Sequence, residues 1–257
     1  MPETDLALLI DAARGAGEIA QRFSGPKARV WDKPGGQGPV TEADLAVNDY
    51  LEGHLRGARP DYGWLSEESA DTGDRLASDT VFIVDPIDGT RSFIEGSRTW
   101  AHALAVVRDG KVRAGVVYLP ARDKLYAADA GQGATLNDAP IRVGGRAALE
   151  GAAVLAPKPV FAPEHWRHAV PVMTRGFRPS LAYRLGLVAE GRFDAMFTLR
   201  PSWEWDIAAG ALILSEAGAV ISDRRGLDLR FNNAHPQLDG VVAANPALHA
   251  ELTGALA

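Results

Sequence analysis

The chain has 257 residues, of which 46% are hydrophobic and 23% are charged, enough to bury the core of one large domain or of two closely packed ones. The absence of cysteine excludes disulfides, thiolate zinc sites and a cysteine nucleophile. The net charge of -6 argues against a general nucleic-acid binder, which normally carries a basic surface. The first residues are acidic and no apolar run is long enough to span a bilayer, so we expect a soluble, cytoplasmic protein without a signal peptide.

The first 80 residues are predicted to contain two helices joined by loops. Apolar residues recur at helical spacing over residues 5–23, which indicates an amphipathic helix. Residues 33–39 are rich in glycine and proline and are predicted to form a flexible loop. Thr41 then starts the second helix, and residues 60–80 are predicted to be mostly loop.

The pattern changes to strands near residue 81 and alternates between strands and helices after about residue 146. The turn at residues 108–111 predicts a hairpin, so the first stretch indicates an antiparallel sheet. Its strands are predicted at residues 81–83, 101–107, 112–119, 124–128 and 141–143. In the second stretch, strands are predicted at residues 152–155, 193–197 and 219–222, and helices at 181–190, 206–217 and 246–256. We therefore predict an α+β half over residues 1–145 and an α/β half over 146–257, with a shared interface.

The most informative segment is Val84–Thr90, which follows directly on a buried strand. Asp85 and Asp88 flank a proline, and Gly89 follows at a turn. Two carboxylates at a strand end, beside a glycine that lets the backbone approach a ligand, suit a hard metal ion and a phosphate group. An isolated Asp-Gly pair is more often a simple turn, but two closely spaced aspartates after a buried strand favour a partner.

Other acids along the chain could complete such a site, although each also has a structural explanation. Glu67 belongs to an acidic loop, and Asp206 lies in the first turn of a predicted helix, where the helix dipole favours an acid. Thr41 and Asp44 fit a capping box, so capping could be the whole role of Asp44. None of the six histidines has the spacing of a two-histidine metal site, which disfavours zinc. The residues together predict metal-dependent hydrolysis of a phosphate ester.

Four blocks of the sequence resemble those of the inositol monophosphatase superfamily, and they occur in the family's order. They are residues 40–44, 66–69, 84–93 and 205–218. The resemblance extends over nearly the whole chain. It implies a mixed α+β or α/β fold, a layered αβαβα sandwich of the sugar-phosphatase type, with the site between the two halves.

The resemblance also implies chemistry and the roles of individual residues. It implies Mg²⁺-dependent hydrolysis of a small phosphate monoester with two or three ions, Mn²⁺ as a substitute and lithium as an inhibitor. Glu67, Asp85 and the Ile87 carbonyl would hold one ion, and Asp85, Asp88 and Asp206 a second. A weaker third ion would lie on Glu67 and waters.

Further implied roles concern the attacking water, the phosphate and the assembly. Thr90, paired with Asp44, would help to activate the water, together with Glu67 as a catalytic residue. Backbone amides around Gly89 and Thr90 would hold the phosphate at a helix start. Many inositol phosphatases carry an acid where this chain has Gly38. Dimers are common in the superfamily, so a homodimer is implied by analogy alone.

Several features of the sequence bear on the substrate. Inositol-specific members have a glutamate about seven residues before the aspartate at position 206, whereas residues 198–201 contain no acid. Arg200 in that stretch favours a substrate with an additional anionic group, although an ordinary surface arginine explains it equally well. Arg91, the basic residue after the signature threonine, resembles the pattern of bisphosphate nucleotidases. The Glu204-Trp205-Asp206 triplet and residues 229–232 resemble 3'(2'),5'-bisphosphate nucleotidases of the CysQ type. We therefore assign Arg91, Arg200 and Glu204 to substrate binding.

Three substrates and one different class of protein remain open on the sequence. Residues 91–94 are similar to histidinol-phosphate phosphatases as well as to the nucleotidases. We rank a bisphosphate nucleotidase first, a histidinol-phosphate phosphatase second and an inositol monophosphatase third. A catalytically inactive binding protein with the same fold ranks below these, because every core ligand is present.

Overall fold

The computed structural model describes residues 3–23, 28–33 and 38–257 of the chain. Its α-helices are α1 (Asp5–Phe23), α2 (Glu42–Ala58), α3 (Thr90–Ile94), α4 (Leu181–Ala189), α5 (Glu204–Glu216) and α6 (Pro246–Ala255). The strands of the N-terminal half are β1 (Val30–Asp32), β2 (Pro39–Thr41), β3 (Gly63–Ser66), β4 (Thr80–Asp88), β5 (Ala101–Arg108), β6 (Lys111–Leu119), β7 (Lys124–Asp129), β8 (Ala134–Leu136) and β9 (Ala139–Pro140). The strands of the C-terminal half are β10 (Ala153–Leu155), β11 (Thr174–Gly176), β12 (Ala195–Thr198), β13 (Ser202–Trp203), β14 (Val220–Ser222), β15 (Gln237–Leu238) and β16 (Val241–Ala244).

Two sheets form the body of the protein. The larger has the strand order β3-β4-β5-β6-β7-β8-β9 and is antiparallel throughout, except that β3 runs parallel to β4. The smaller has the order β11-β10-β12-β16-β14, with β10 parallel to both of its neighbours. Strands β1 and β2, and strands β13 and β15, form two short antiparallel ladders.

Three apolar clusters arrange helices and sheets in five layers. Helices α1 and α2 pack on one face of the larger sheet, through residues such as Leu9, Val47 and Val84. Helices α4 and α5 fill the space between the two sheets, and α6 covers the outer face of the smaller sheet. This αβαβα order confirms the layered sandwich, and the shared middle layer provides the expected interface between the halves. The boundary near residue 145 remains a prediction.

Helix α5 lies in the middle layer because nearly all of its side chains are apolar. A helix that is apolar on every side must be buried on every side, and here only Glu204 and Asp206 in the first turn and the residues at its end are polar. The helix approaches strand β6 so closely that a Cβ atom on Gly115 would lie 2.9 Å from the Ala209 carbonyl oxygen. The start of α5, with its two acids, is therefore held against the larger sheet.

Most of the predicted elements are present, with a few differences. The capping box is confirmed, because Thr41 accepts from the Asp44 backbone amide and Asp44 accepts from that of Thr41. The strand predicted at residues 141–143 is wrong: the amides of Ile141 and Val143 donate to Ala134 and Ala217, which do not lie on one neighbouring strand. Residues 34–37 of the predicted loop lie outside the described residues. None of the helices within the described ranges combines the length and apolar character needed to cross a bilayer.

Candidate active site

Three aspartates from both halves of the chain converge at the junction between the larger sheet and the middle helices. Asp85 and Asp88 lie at the end of β4, and Asp206 lies in the first turn of α5. One carboxylate oxygen from each lies within 4.8 Å of the others. Such a set of hard oxygen donors matches the ligands that divalent cations such as Mg²⁺ prefer. The structure thus brings together three of the residues predicted from sequence to bind metal.

The surroundings of Asp85 support a cation at this point. Its side chain is 1% exposed, and no donor within the described residues reaches either of its carboxylate oxygens. Burial, followed by the negative charges of Glu67 and Asp88, raises the pKa of Asp85 well above its usual range. A buried carboxylate without a partner is costly unless a proton or a metal ion compensates its charge. The donor set therefore fits a divalent metal ion.

Asp88 is held from the other half of the protein by the start of helix α4. Its Oδ2 atom accepts hydrogen bonds from the Ser180 hydroxyl and from the Ala182 amide, both at 2.6 Å. Ser180 also caps α4 by accepting from the Tyr183 amide. Burial raises the pKa of Asp88 to about 6, against the opposing effect of these hydrogen bonds. With Oδ2 so engaged, Oδ1 is the oxygen left for a cation.

Glu67 lies beside the three aspartates, but its nearest partner is a lysine. It follows β3, and its amide donates to the Val84 carbonyl, which keeps it next to the end of β4. The ammonium of Lys33 lies 2.7 Å from Glu67 and 2.6 Å from Glu68. Glu67 also lines the cleft, and its charge contributes to the raised pKa values of Asp85 and Asp206. Its position is consistent with a ligand at the edge of the metal centre.

Asp44 and Thr90 meet, although Asp44 also completes the capping box of α2. The Oδ2 atom of Asp44 accepts from the amide and hydroxyl of Thr41, and Oδ1 lies 3.3 Å from the Thr90 hydroxyl. That hydroxyl also lies 3.2 Å from the Ile87 carbonyl oxygen. Burial, opposed by the hydrogen bonds from Thr41, raises the pKa of Asp44 to about 6. The structural and the catalytic interpretations of Asp44 are thus compatible, since each uses a different oxygen.

The turn between β4 and α3 is made by Gly89, which has the left-handed φ of 95°. A side chain is strained in this conformation, and a Cβ atom here would also meet the Ser180 amide nitrogen at 3.4 Å. Thr90 then begins the short helix α3. The turn therefore exposes the backbone at residues 89 and 90 to the cleft.

Glu67, Gly89 and Thr90 line an open cleft of about 990 Å³, large enough for a small metabolite. Arg91 and Arg200 are exposed on its walls, and Arg184 lines it from helix α4. Arg184 is 6% exposed; its guanidinium donates to the carbonyls of Arg178 and Pro179 and lies 4.3 Å from the centre of the Phe177 ring. Burial lowers its pKa to about 10, so it remains charged at neutral pH.

The sequence pattern of the inositol monophosphatase family matches residues 1–257. The chain belongs to this family. It is 35% identical over 261 residues to the inositol-1-monophosphatase of Mesorhizobium japonicum, covering 98% of this chain and 95% of that protein. It is 31% identical to the Nus factor SuhB of Escherichia coli strain K12, covering 94% and 91%.

Solved structures of family members have the same fold. The IMPase of Thermotoga maritima matches with a TM-score of 0.82 and 29% identity, covering 96% of this chain and 94% of that one. The extragenic suppressor protein SuhB of Bartonella henselae matches with a TM-score of 0.80 and 30% identity, covering 96% of each chain. The protein is accordingly an enzyme of the phosphomonoesterase class, from a family of metal-dependent phosphatases that act on small phosphorylated substrates.

Glu204 does not face the cleft, in contrast to the substrate contact expected from sequence. It is fully buried, and its carboxylate accepts from the amides of Asn232 and Asn233 and from the Asn233 side chain, at 2.6–2.9 Å. Arg75 binds the same loop through the Asn232 side chain and the Asn233 carbonyl. Both carboxylate oxygens are thus used internally, and Glu204 anchors this loop to the start of α5.

Ser180, Arg184 and Lys33 were not identified as functional residues from sequence. A serine directly before a helical pattern is a start signal, so the cap at Ser180 could have been found, although its bond to Asp88 could not. Arg184 is the only charged residue of helix α4, and a lone charge among apolar residues signals a buried partner. For Lys33 the sequence contains no comparable signal.

Proposed function

We propose that the protein hydrolyses a phosphate monoester that carries a second anionic group, in the presence of Mg²⁺. A 3'(2'),5'-bisphosphate nucleotide such as 3'-phosphoadenosine 5'-phosphate fits best, and AMP and phosphate would be the products. The observation that carries this proposal is the group of three arginines on the cleft wall, Arg91, Arg184 and Arg200. Guanidinium groups are the preferred protein partners of phosphate oxygens.

The apolar part of the cleft supports a nucleotide as well. Pro157, Pro159, Val160 and Phe177 line it beside the arginines. Phe177 is 45% exposed, so a planar base could cover part of its surface. A histidinol phosphate would instead bring its positively charged amine close to three arginines. Away from the metal site, the described residues of the wall include one acid, Glu95, against the three arginines, so its positive charge disfavours that substrate.

The remaining residues of the site have distinct proposed roles. Asp85, Asp88, Asp206, Glu67 and the Ile87 carbonyl would hold Mg²⁺ in two or three positions, with Mn²⁺ as a substitute and lithium as an inhibitor. Bound there, the metal would supply Lewis-acid activation of the phosphate ester and of water. The Thr90 hydroxyl would orient the attacking water and pass a proton to Asp44, and the turn at Gly89 would bind phosphate oxygens through backbone amides. A cytoplasmic location and a homodimer remain predictions.

Inositol 1-phosphate is the second candidate, because the relative from Mesorhizobium japonicum carries the name inositol-1-monophosphatase. Its polyol ring has no second anionic group for the arginines to bind. The two candidates therefore differ in whether they need the arginines of the cleft wall. These arginines can be substituted without changing the metal ligands.

The test is phosphate release with Mg²⁺ from 3'-phosphoadenosine 5'-phosphate, histidinol phosphate, inositol 1-phosphate and fructose 1,6-bisphosphate, compared by kcat/KM. The variant Arg200→Met should lower kcat/KM for the nucleotide by about tenfold, the value of one hydrogen bond to a charged group, and leave inositol 1-phosphate nearly unchanged. Arg113→Met, at an exposed position of β6, is the matched control. Equal turnover of nucleotide and inositol 1-phosphate, or no effect of Arg200→Met, would reject the nucleotide.

A further inference from the structure

The metal-binding end of strand β4 contains a β-bulge. In the pairing with β5, Asp85 lies opposite Ala103 and Asp88 lies opposite Ala101. Strand β4 thus has two residues, Pro86 and Ile87, where β5 has only His102. An extra residue of this kind shifts the alternation of side chains along the bulged strand.

This shift is what allows Asp85 and Asp88 to act together. Side chains alternate between the two faces of a regular strand, so residues three apart would point in opposite directions. The effect is visible in the core: Ile83 packs in the cluster around α4 and α5, whereas Ile87, four residues on, packs in the cluster around α1 and α2. Both aspartates consequently face the same side and come within 4.8 Å of each other.

The imidazole of His102 holds this bulge. It is completely buried, and its Nδ1 atom is hydrogen-bonded to the carbonyl oxygen of Pro86. A carbonyl only accepts, so Nδ1 must carry the proton. The Nε2 atom has no hydrogen-bond partner within the described ranges, which suits a neutral ring. Burial lowers the pKa of His102 to about 4, in agreement with the neutral form.

The ring is itself fixed by its neighbours. The Trp100 ring lies 5.4 Å away in an edge-on arrangement, and the Tyr118 ring lies 6.4 Å away. Pro86 has no amide hydrogen, so the bulge cannot be fixed by a backbone donor at that residue. A side chain from the opposite strand holds the carbonyl instead.

We infer that His102 is a positioning residue of the metal centre: by holding the Pro86 carbonyl it fixes the bulge that turns Asp85, Asp88 and the Ile87 carbonyl toward the metal. The inference rests on the proposed metal site. His102 lies one peptide away from the ligands and touches neither the substrate nor the reacting atoms. Its effect should therefore be on metal affinity, in the way that groups orienting metal ligands affect it elsewhere.

The test compares Mg²⁺ binding with stability in three variants. His102→Phe keeps an aromatic ring between Trp100 and Tyr118 but removes the donor, whereas His102→Asn retains a donor close to the position of Nδ1. Leu104→Ala removes a fully buried side chain two residues along the same strand and does not touch the bulge. The dissociation constant of Mg²⁺ is measured by calorimetry. The unfolding midpoint is measured in urea with chelator, and kcat is measured at saturating Mg²⁺.

We expect His102→Phe to weaken Mg²⁺ binding by about tenfold or more, and His102→Asn to recover most of the loss. Leu104→Ala should lower the unfolding midpoint and leave the Mg²⁺ dissociation constant unchanged. Wild-type affinity in folded His102→Phe, or an equal loss in Leu104→Ala, would overturn the inference while leaving the metal site intact. Failure of the wild type to bind Mg²⁺ would instead reject the proposed function.

A measurement on the wild type covers the case in which His102→Phe does not fold. Nitrogen-15 NMR of labelled histidine distinguishes the two tautomers of the neutral ring. The inference requires the proton of His102 on Nδ1 both without and with Mg²⁺. A neutral ring with its only proton on Nε2 could not donate to the Pro86 carbonyl, and this result would overturn the inference.

Discussion

Replacing Asp88 by asparagine should stabilise the metal-free protein while destroying its activity. In the structure, one oxygen of Asp88 accepts from Ser180 and Ala182, and an asparagine amide oxygen can accept from both. The substitution therefore keeps the contacts of the folded state and removes only a buried negative charge. At pH 7 in chelator that charge destabilises the fold, because burial penalises the ionised form of the carboxylate.

The size of the effect follows from the pKa of Asp88, which burial raises from 3.8 to about 6. About two pKa units correspond to about 3 kcal/mol. Because the pKa is higher in the folded state, ionisation disfavours folding. The cost is absent below pH 3.8, develops as the pH rises toward 6, and is complete above it. At about 2–4 °C per kcal/mol for chains of this size, Asp88→Asn should raise the Tm by about 6–12 °C at pH 7.

The assay is urea unfolding of wild type and variant, in chelator and in excess Mg²⁺, at pH 7 and near pH 4. Mg²⁺ at one hundred times its Kd should stabilise the wild type by about 2.7 kcal/mol and the variant hardly at all. Asp228→Asn, the same change at an exposed position, is the control and should alter nothing. The electrostatic argument is refuted if the Asp88→Asn variant is no more stable than wild type at pH 7. It is also refuted if the substitution stabilises the protein as much near pH 4 as at pH 7.

Three further predictions concern Thr90, Glu204 and the metal. Thr90→Val should reduce kcat strongly without weakening Mg²⁺ binding, and Thr90→Ser should retain activity. A loss of Mg²⁺ binding in Thr90→Val, measured by calorimetry, would contradict the proposed role of the hydroxyl. Glu204→Ala should lower the free energy of unfolding by about 3 kcal/mol, because it leaves buried donors of Asn232 and Asn233 without a partner. A variant with wild-type stability and a raised KM would instead show that Glu204 contacts the substrate. Removal of metal by excess chelator should abolish phosphate release and Mg²⁺ should restore it, so full activity in chelator would exclude the proposed mechanism.

The parts of the site that depend on neighbouring residues in sequence could be predicted, and those that depend on long-range packing could not. Val84–Thr90 carries its strand, turn and two carboxylates within seven residues, and the Thr41–Asp44 capping box is equally local. The partners of Asp88 lie more than ninety residues away at the start of α4, and no local pattern relates them. The role of Glu204 was mispredicted although it lies next to a site motif. An acid at such a position has the same sequence pattern whether it faces a substrate or a buried loop.

Strand predictions failed where the alternation of apolar and polar residues does not reflect the actual pairing or burial of the segment. Residues 141–143 have a strand-like composition, but their amides bond to Ala134 and Ala217, so they form no continuous ladder with one strand. Strand β16 (Val241–Ala244) was not predicted, although it lies at the centre of the smaller sheet between β12 and β14. Its four residues are all buried, so it shows no alternation, and a run this short does not stand out from other apolar segments.

Because of where helix α5 lies, the metal site can form only when both halves of the chain are folded together. This helix belongs to the C-terminal half in sequence, yet it packs on the larger sheet through the close contact at Gly115 and carries Asp206 to the aspartates of β4. Neither half alone can therefore retain the three carboxylates, and each would expose one side of the middle layer to water. Loss of metal binding and loss of the core should accordingly coincide in a single unfolding transition, so that a partly assembled chain has no residual phosphatase activity.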